Sequence, residues 1–139
     1  MLGQRKEKTM YQTFDEITNA ADTGKKSSVR ALQAWQYLIA RAANRQLVRY
    51  GELAKIMGYS DNRPLTPILG HIMYYCSQQG LLPLTIIVVN QDGTPGDGFT
   101  ETPRTEFDST RERVFDFEWF KVYPPSPSEF KHSWDEATH

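Results

Sequence analysis

From Val29 onward the apolar residues fall three and four apart, at Val29, Leu32, Trp35, Leu38, Ile39 and Ala42, with Arg30, Gln33 and Arg41 outside the stripe. That is the period of an amphipathic helix, and Ser28 stands where an N-cap would accept the first free amides. Upstream, Phe14, Ile17 and Ala21 share a helical spacing before Thr23-Gly24-Lys25-Lys26 reads as a loop. Downstream, "QLVRY" is a short β-rich stretch, and "GELAKIM" predicts a two-turn helix that Gly58 stops in a left-handed cap. "SDNRPLT" breaks the pattern. The next helix is expected over Thr66 to Gln79, because proline at a first helical turn loses no needed N–H. Its apolar stripe is Leu65, Leu69, Ile72 and Cys76, and Gly80 supplies the stop.

The period then changes. "LTIIVVN" is a β-branched run that predicts a strand, and "QDGTPGDG" is turn chemistry throughout, a loop or wing. "STRE", Ser109 to Glu112, matches a capping box that would open a helix through Val114 and Phe115. Ser126-Pro127-Ser128-Glu129 repeats that logic before Phe130 and Trp134. Trp119, Phe120, Phe130 and Trp134 are expected to dock this tail on the core.

The elements imply an α+β chain: a helix-rich, winged helix-turn-helix-like domain with a small β element and a C-terminal extension packed back on it. The divisions expected are an arm over 1–27, the domain over 28–100 and an acidic, aromatic extension over 101–139. At 139 residues with 39% apolar content, the chain can build one core. No apolar run approaches the length of a membrane span, and the basic start lacks an apolar segment behind it, so a cytoplasmic location is expected. The single cysteine, Cys76, agrees with a reducing compartment and has no companions at zinc spacing.

Charge is unevenly placed. Residues 25–63 carry eight bases against Glu52 and Asp61, a local +6; residues 64–91 carry none; residues 92–139 carry eleven acids against five bases, a local −6. A polyanion would meet a basic face, and the acidic third would repel it or cover that face.

Against this background "VRYGELAKIMG" at Val48 to Gly58, Leu69-Gly70 in the following helix and "PLTIIVVNQDGTPG" at Pro83 to Gly96 carry a resemblance. Over Gln46 to Phe99 the chain resembles the winged-helix DNA-binding domain of O6-alkylguanine-DNA alkyltransferases and alkyltransferase-like proteins. The family's reactive Pro-Cys-His-Arg is missing. With Val88-Val89 set on the family's valine pair, Thr85 falls on the acceptor cysteine and Ile86 and Ile87 on the His and Arg. The resemblance therefore implies architecture and a DNA-facing surface without alkyl transfer. For the arginine that the family inserts into the duplex, the nearest candidate is Arg63, about a turn earlier.

Candidate chemistry follows. Thr66 to Gln79 is expected to be a recognition helix whose outward face presents Pro67, Gly70, His71, Tyr74 and Gln78, and Tyr50 and Thr66 are also expected among the DNA contacts. Arg45, Arg49, Lys55 and Arg63 are expected on phosphates. The alternative for the outward face is a packing contact with the acidic C-terminal segment. Cys76 lies on the apolar stripe with no base near it in the chain, so a buried structural thiol is expected. The acids at Asp92, Asp97, Glu101, Glu106, Asp108, Glu112, Asp116 and Glu118 match no nuclease spacing, and "GTPGDG" lacks the Lys-Ser/Thr of a phosphate loop. The expectation is a non-catalytic DNA-binding protein, without metal or cofactor, preferring duplex to single strands and having no membrane partner. The competing reading is a protein-interaction module on the same scaffold, its acidic third binding a partner or covering the basic face.

Overall fold

In the computed structural model, residues 10–14, 25–96 and 98–139 are described. Chain order is α1 (Lys25–Ala43), β1 (Val48–Arg49), α2 (Tyr50–Ile56), α3 (Leu65–Gln79), a 3-10 turn (Leu84–Ile87), β2 (Val88–Val89), a 3-10 turn (Arg104–Glu106), α4 (Phe107–Asp116), a 3-10 turn (Trp119–Lys121) and α5 (Pro127–Thr138). It is an α+β architecture, rich in helix. β1 and β2 form the small sheet, parallel, with Val48 opposite Val88 and Arg49 opposite Val89. The early helix read through Phe14, Ile17 and Ala21 lies largely outside the described residues, as does Asp97.

Helix α3 is central and carries no charge, the chain being uncharged from 64 to 91. Leu65, Leu69, Ile72 and Cys76 are buried as the stripe requires, but so are Ile68, His71, Met73 and Tyr75. Helices α1 and α5 both pack on α3. Trp35 of α1 is the aromatic hub, with ring centroids 6.0 Å from Tyr75, 5.8 Å from Trp119 and 6.0 Å from Phe130. Trp119 also donates its indole N–H to the Val114 carbonyl at 2.8 Å. The C-terminal segment thus supplies Val114, Trp119 and Phe130 to the same buried cluster as α1 and α3. Phe120, expected to dock with them, is instead 68% exposed: the 3-10 turn that buries Trp119 rotates its neighbour outward.

Three local expectations change. Helix α1 already includes Lys25, so Ser28 is an interior residue, 3% exposed, rather than an N-cap. α4 begins at Phe107, and the Ser109 hydroxyl donates to the Glu106 carbonyl inside the first turn instead of forming a capping box. The long strand in "LTIIVVN" shrinks to Val88-Val89. Leu84 to Val89 are all buried, and β1 is only two residues long, so the core is filled by a 3-10 turn where, among the described residues, no partner strand exists. By contrast, Gly58 (φ 85°) and Gly80 (φ 71°) take the left-handed stops read for them. Ser126 and Glu129 form the capping box of α5, with Pro127 in its first turn.

Candidate functional site

The basic block is largely occupied by its own neighbours. Arg30 lies 3.7 Å from the Phe14 ring centroid and 5.3 Å from that of Tyr59. Arg41 pairs with Glu52 at 3.1 Å, and Glu52 also accepts the Tyr37 hydroxyl at 2.7 Å. Arg45 terminates α1 in the left-handed region (φ 57°), closed by hydrogen bonds from Arg45 N to Ala42 O and Gln46 N to Arg41 O, both 2.9 Å. From there its guanidinium reaches across the fold to Glu112 and, at 2.8 Å, to Asp116 of α4. Arg45, expected on phosphate, is therefore held by the acidic third. Arg63 is bound in its own loop by Asp61 through Nε and Nη2, yet its side chain is 90% exposed. Arg49 and Lys55 are exposed and make no ion pair among the described residues.

The expected outward face of α3 is covered only in part: His71 is buried, Gly70 and Tyr74 are half-buried, and Thr66 and Gln78 stay exposed. His71 is 2% exposed and stacks on Trp134 of α5, centroids 4.6 Å apart and planes 8° apart. Its Nδ1–H donates to the Pro67 carbonyl at 2.6 Å, which leaves Nε2 as a bare acceptor, buried and without a partner. Burial pushes the imidazole below its ordinary pKa. The Pro67 hydrogen bond and Asp135 oppose that shift, and Lys131 adds to it. Gln78 donates to the Ser133 carbonyl at 3.0 Å, and Tyr74 tilts against Trp134 at 5.8 Å. His71 and Gln78 are thus engaged by α5, the packing alternative for this face, because Trp134 and Ser133 fall on its inner side.

From Thr66 to Tyr74, α3 borders a cavity of about 440 Å³. Thr66, Leu69, Gly70, Met73 and Tyr74 face it from α3, with Asn62 from the preceding turn and Tyr50 from the start of α2. Thr85 comes from the 3-10 turn, Asn90, Gly96, Gly98 and Phe99 from the chain after β2, and Trp134 from α5. Two close approaches shape it. A methyl on Gly70 would come within 2.6 Å of Trp134 Cζ3, and one on Gly96 would collide with the Tyr50 phenol, so neither ring has room for a side chain beneath it. Thr85, the residue matched to the acceptor cysteine, is 6% exposed, and among the described residues its hydroxyl has no hydrogen-bond partner.

Of the residues singled out in the sequence, Tyr50, Thr66, Gly70 and Tyr74 come together here; Arg45, His71, Gln78 and Lys55 do not line the cavity. Asn62, Asn90, Phe99 and Trp134 join them from outside the expected set. Trp134 offered a signal, since it sits four residues after Phe130 on the same helix, but that spacing equally describes a core stripe. Cys76 lies away from the cavity, 1% exposed, its thiol pushed up to about 12 by burial. Among the described residues no cluster of His, Cys, Asp and Glu could hold a metal ion, and no helix is long and apolar enough to cross a membrane.

Comparison with protein-family models, curated proteins and solved structures finds no match to the chain.

Proposed function

We propose that this chain is a non-catalytic DNA-binding protein on a winged-helix-like, alkyltransferase-like scaffold, and that it meets the duplex with the cavity mouth and the start of α3. The length of α3 is not the reading surface, because α5 lies along it. One observation carries the reading. Among the described residues the cavity is lined by aromatic rings, the aliphatic Leu69 and Met73, glycines, amides and hydroxyls with no charged side chain, a lining that suits a neutral, planar, hydrogen-bonding guest such as a nucleobase. Its volume falls within the roughly 300–1,000 Å³ of small-molecule sites. Exposed cations adjoin it in the chain, Arg49 next to Tyr50 and Arg63 next to Asn62, where phosphates flanking an unpaired base would pass. Turnover is not part of the reading. The Thr85 hydroxyl has no base hydrogen-bonded to it, and a thiol shifted to about 12 is not a nucleophile near neutrality.

The test is a titration of the full chain with duplex and single-stranded DNA over a range of salt. Affinity should fall as salt rises, and Arg49→Glu with Lys55→Glu should weaken binding and flatten the slope by about 0.9 for each phosphate no longer neutralised. A salt-independent affinity, or none for DNA, refutes it. The second reading, a protein-interaction module, draws on Phe120 and Tyr123, 68% and 88% exposed on the C-terminal segment. It predicts a binding partner that Phe120→Ser weakens and DNA does not displace.

A further inference from the structure

We infer that Trp134 is a stacking wall of the cavity, so that the C-terminal helix is part of the binding site as well as part of the core. The inference rests on the proposed function for its guest, a nucleobase. It stands on its own geometry for the wall.

Three features place the indole. Gly70 has no Cβ, and the indole lies directly over its backbone; His71 stacks on the ring almost in parallel; Tyr74 tilts against it from one turn further along α3. Residues of α3 thus contact the ring on three sides of one turn without a hydrogen bond from any of the three. Its environment also differs from that of the other two tryptophans. Trp35 and Trp119 are 1% exposed and belong to the core, whereas Trp134 is half-buried and borders the cavity. A residue needed only for docking would gain from burying the rest of its ring. Trp134 keeps part of it at the cavity, where Thr85 holds a buried hydroxyl without a partner. A planar base stacked on the indole face opposite His71 and hydrogen-bonded to Thr85 would satisfy both groups at once.

The experiment uses the full chain and a short duplex carrying one 2-aminopurine and an end label. Anisotropy of the label reads binding, and 2-aminopurine emission reads the surroundings of the base. Wild type should bind with a change in 2-aminopurine emission. Trp134→Ala should weaken binding by about 5- to 150-fold, the range for removal of one base–aromatic stack, and alter the bound emission, while Trp134→Phe retains most of the affinity. Gly70→Ala, which displaces the indole without removing it, should also weaken binding. Because Trp134→Ala could unfold the chain, a second measurement uses wild type alone. Acrylamide should quench Trp134 before the two buried tryptophans, and bound duplex should shield it. Shielding by free 2-aminopurine riboside without duplex would keep the wall and make the free base its guest. If the duplex binds but Trp134 stays open to acrylamide and a folded Trp134→Ala binds equally well, the inference is overturned while DNA binding stands. If wild type binds neither duplex nor nucleoside, both fall.

Discussion

Replacing Phe130 with alanine separates a tail that is part of the core from one that merely lies on it. The Phe130 ring is fully buried, 6.0 Å from Trp35 and 5.2 Å from Tyr75 by centroid, at the meeting of α1, α3 and α5. Truncating a buried phenylalanine costs about 3–5 kcal/mol, and because this ring meets two other aromatics its site lies toward the upper end. Domains of this kind hold about 5–15 kcal/mol in all, so the change consumes a large share of it. At about 3–5 °C per kcal/mol for this size, the melting temperature should drop by about 10–20 °C. Phe120 is the internal control: it is 68% exposed in the same segment, and Phe120→Ala should stay within about 0.5 kcal/mol. Thermal melts followed by circular dichroism, with urea titration to check that the unfolding slope is unchanged, give both numbers. Equal shifts for the two variants, or less than about 1 kcal/mol for Phe130→Ala, would mean that α5 detaches without consequence. Deletion of everything after Phe117 removes Trp119 as well and should melt lower still or precipitate.

Incubation with a radiolabelled O6-alkylguanine oligonucleotide should leave the protein unlabelled, and Cys76 should react with thiol reagents only on unfolding; label on the folded chain refutes this. The Cys76 thiol is raised from 9.0 to about 12, so the folded state keeps the proton that the unfolded chain loses, and its contribution to stability, full below pH 9, should fade as pH rises toward 12. Cys76→Ala should flatten that alkaline decline in urea midpoints. His71 has the opposite sign: its pKa is depressed below 6.5, so stability is full above 6.5 and should be lost as pH falls further, when the unfolded chain binds the proton first. A stability profile flat from about pH 7.5 to about 5, or one unaffected by His71→Gln, refutes the neutral buried imidazole. Arg45→Gln should change stability little, because its ion pairs with Glu112 and Asp116 are exposed and screened by solvent, and should leave DNA affinity nearly unchanged, whereas Arg49→Gln should lower it in the same titration.

Residue order alone determined the elements whose signals are local. The stop at Gly80 needs only a residue free to adopt φ 71°, and the start of α5 needs only Ser126, Pro127 and Glu129 at adjacent spacing. The stripe of α3 was legible for the same reason, as was the burial of Cys76. What stood beyond reach depended on partners distant in the chain. The β-branched run at Leu84–Val89 becomes mostly 3-10 turn because its one neighbouring strand is two residues long, which no property of the run reveals. His71, polar and placed off the apolar stripe, looked solvent-facing until Trp134, 63 positions later, supplied a flat ring to cover it. The pairing of Arg45 with Asp116 spans 71 residues, and charge blocks describe attraction without choosing which residues meet. The cavity combines five separate stretches of chain, and its wall at Gly70 exists because a missing Cβ and a tryptophan on another helix coincide in space, a coincidence only packing can decide.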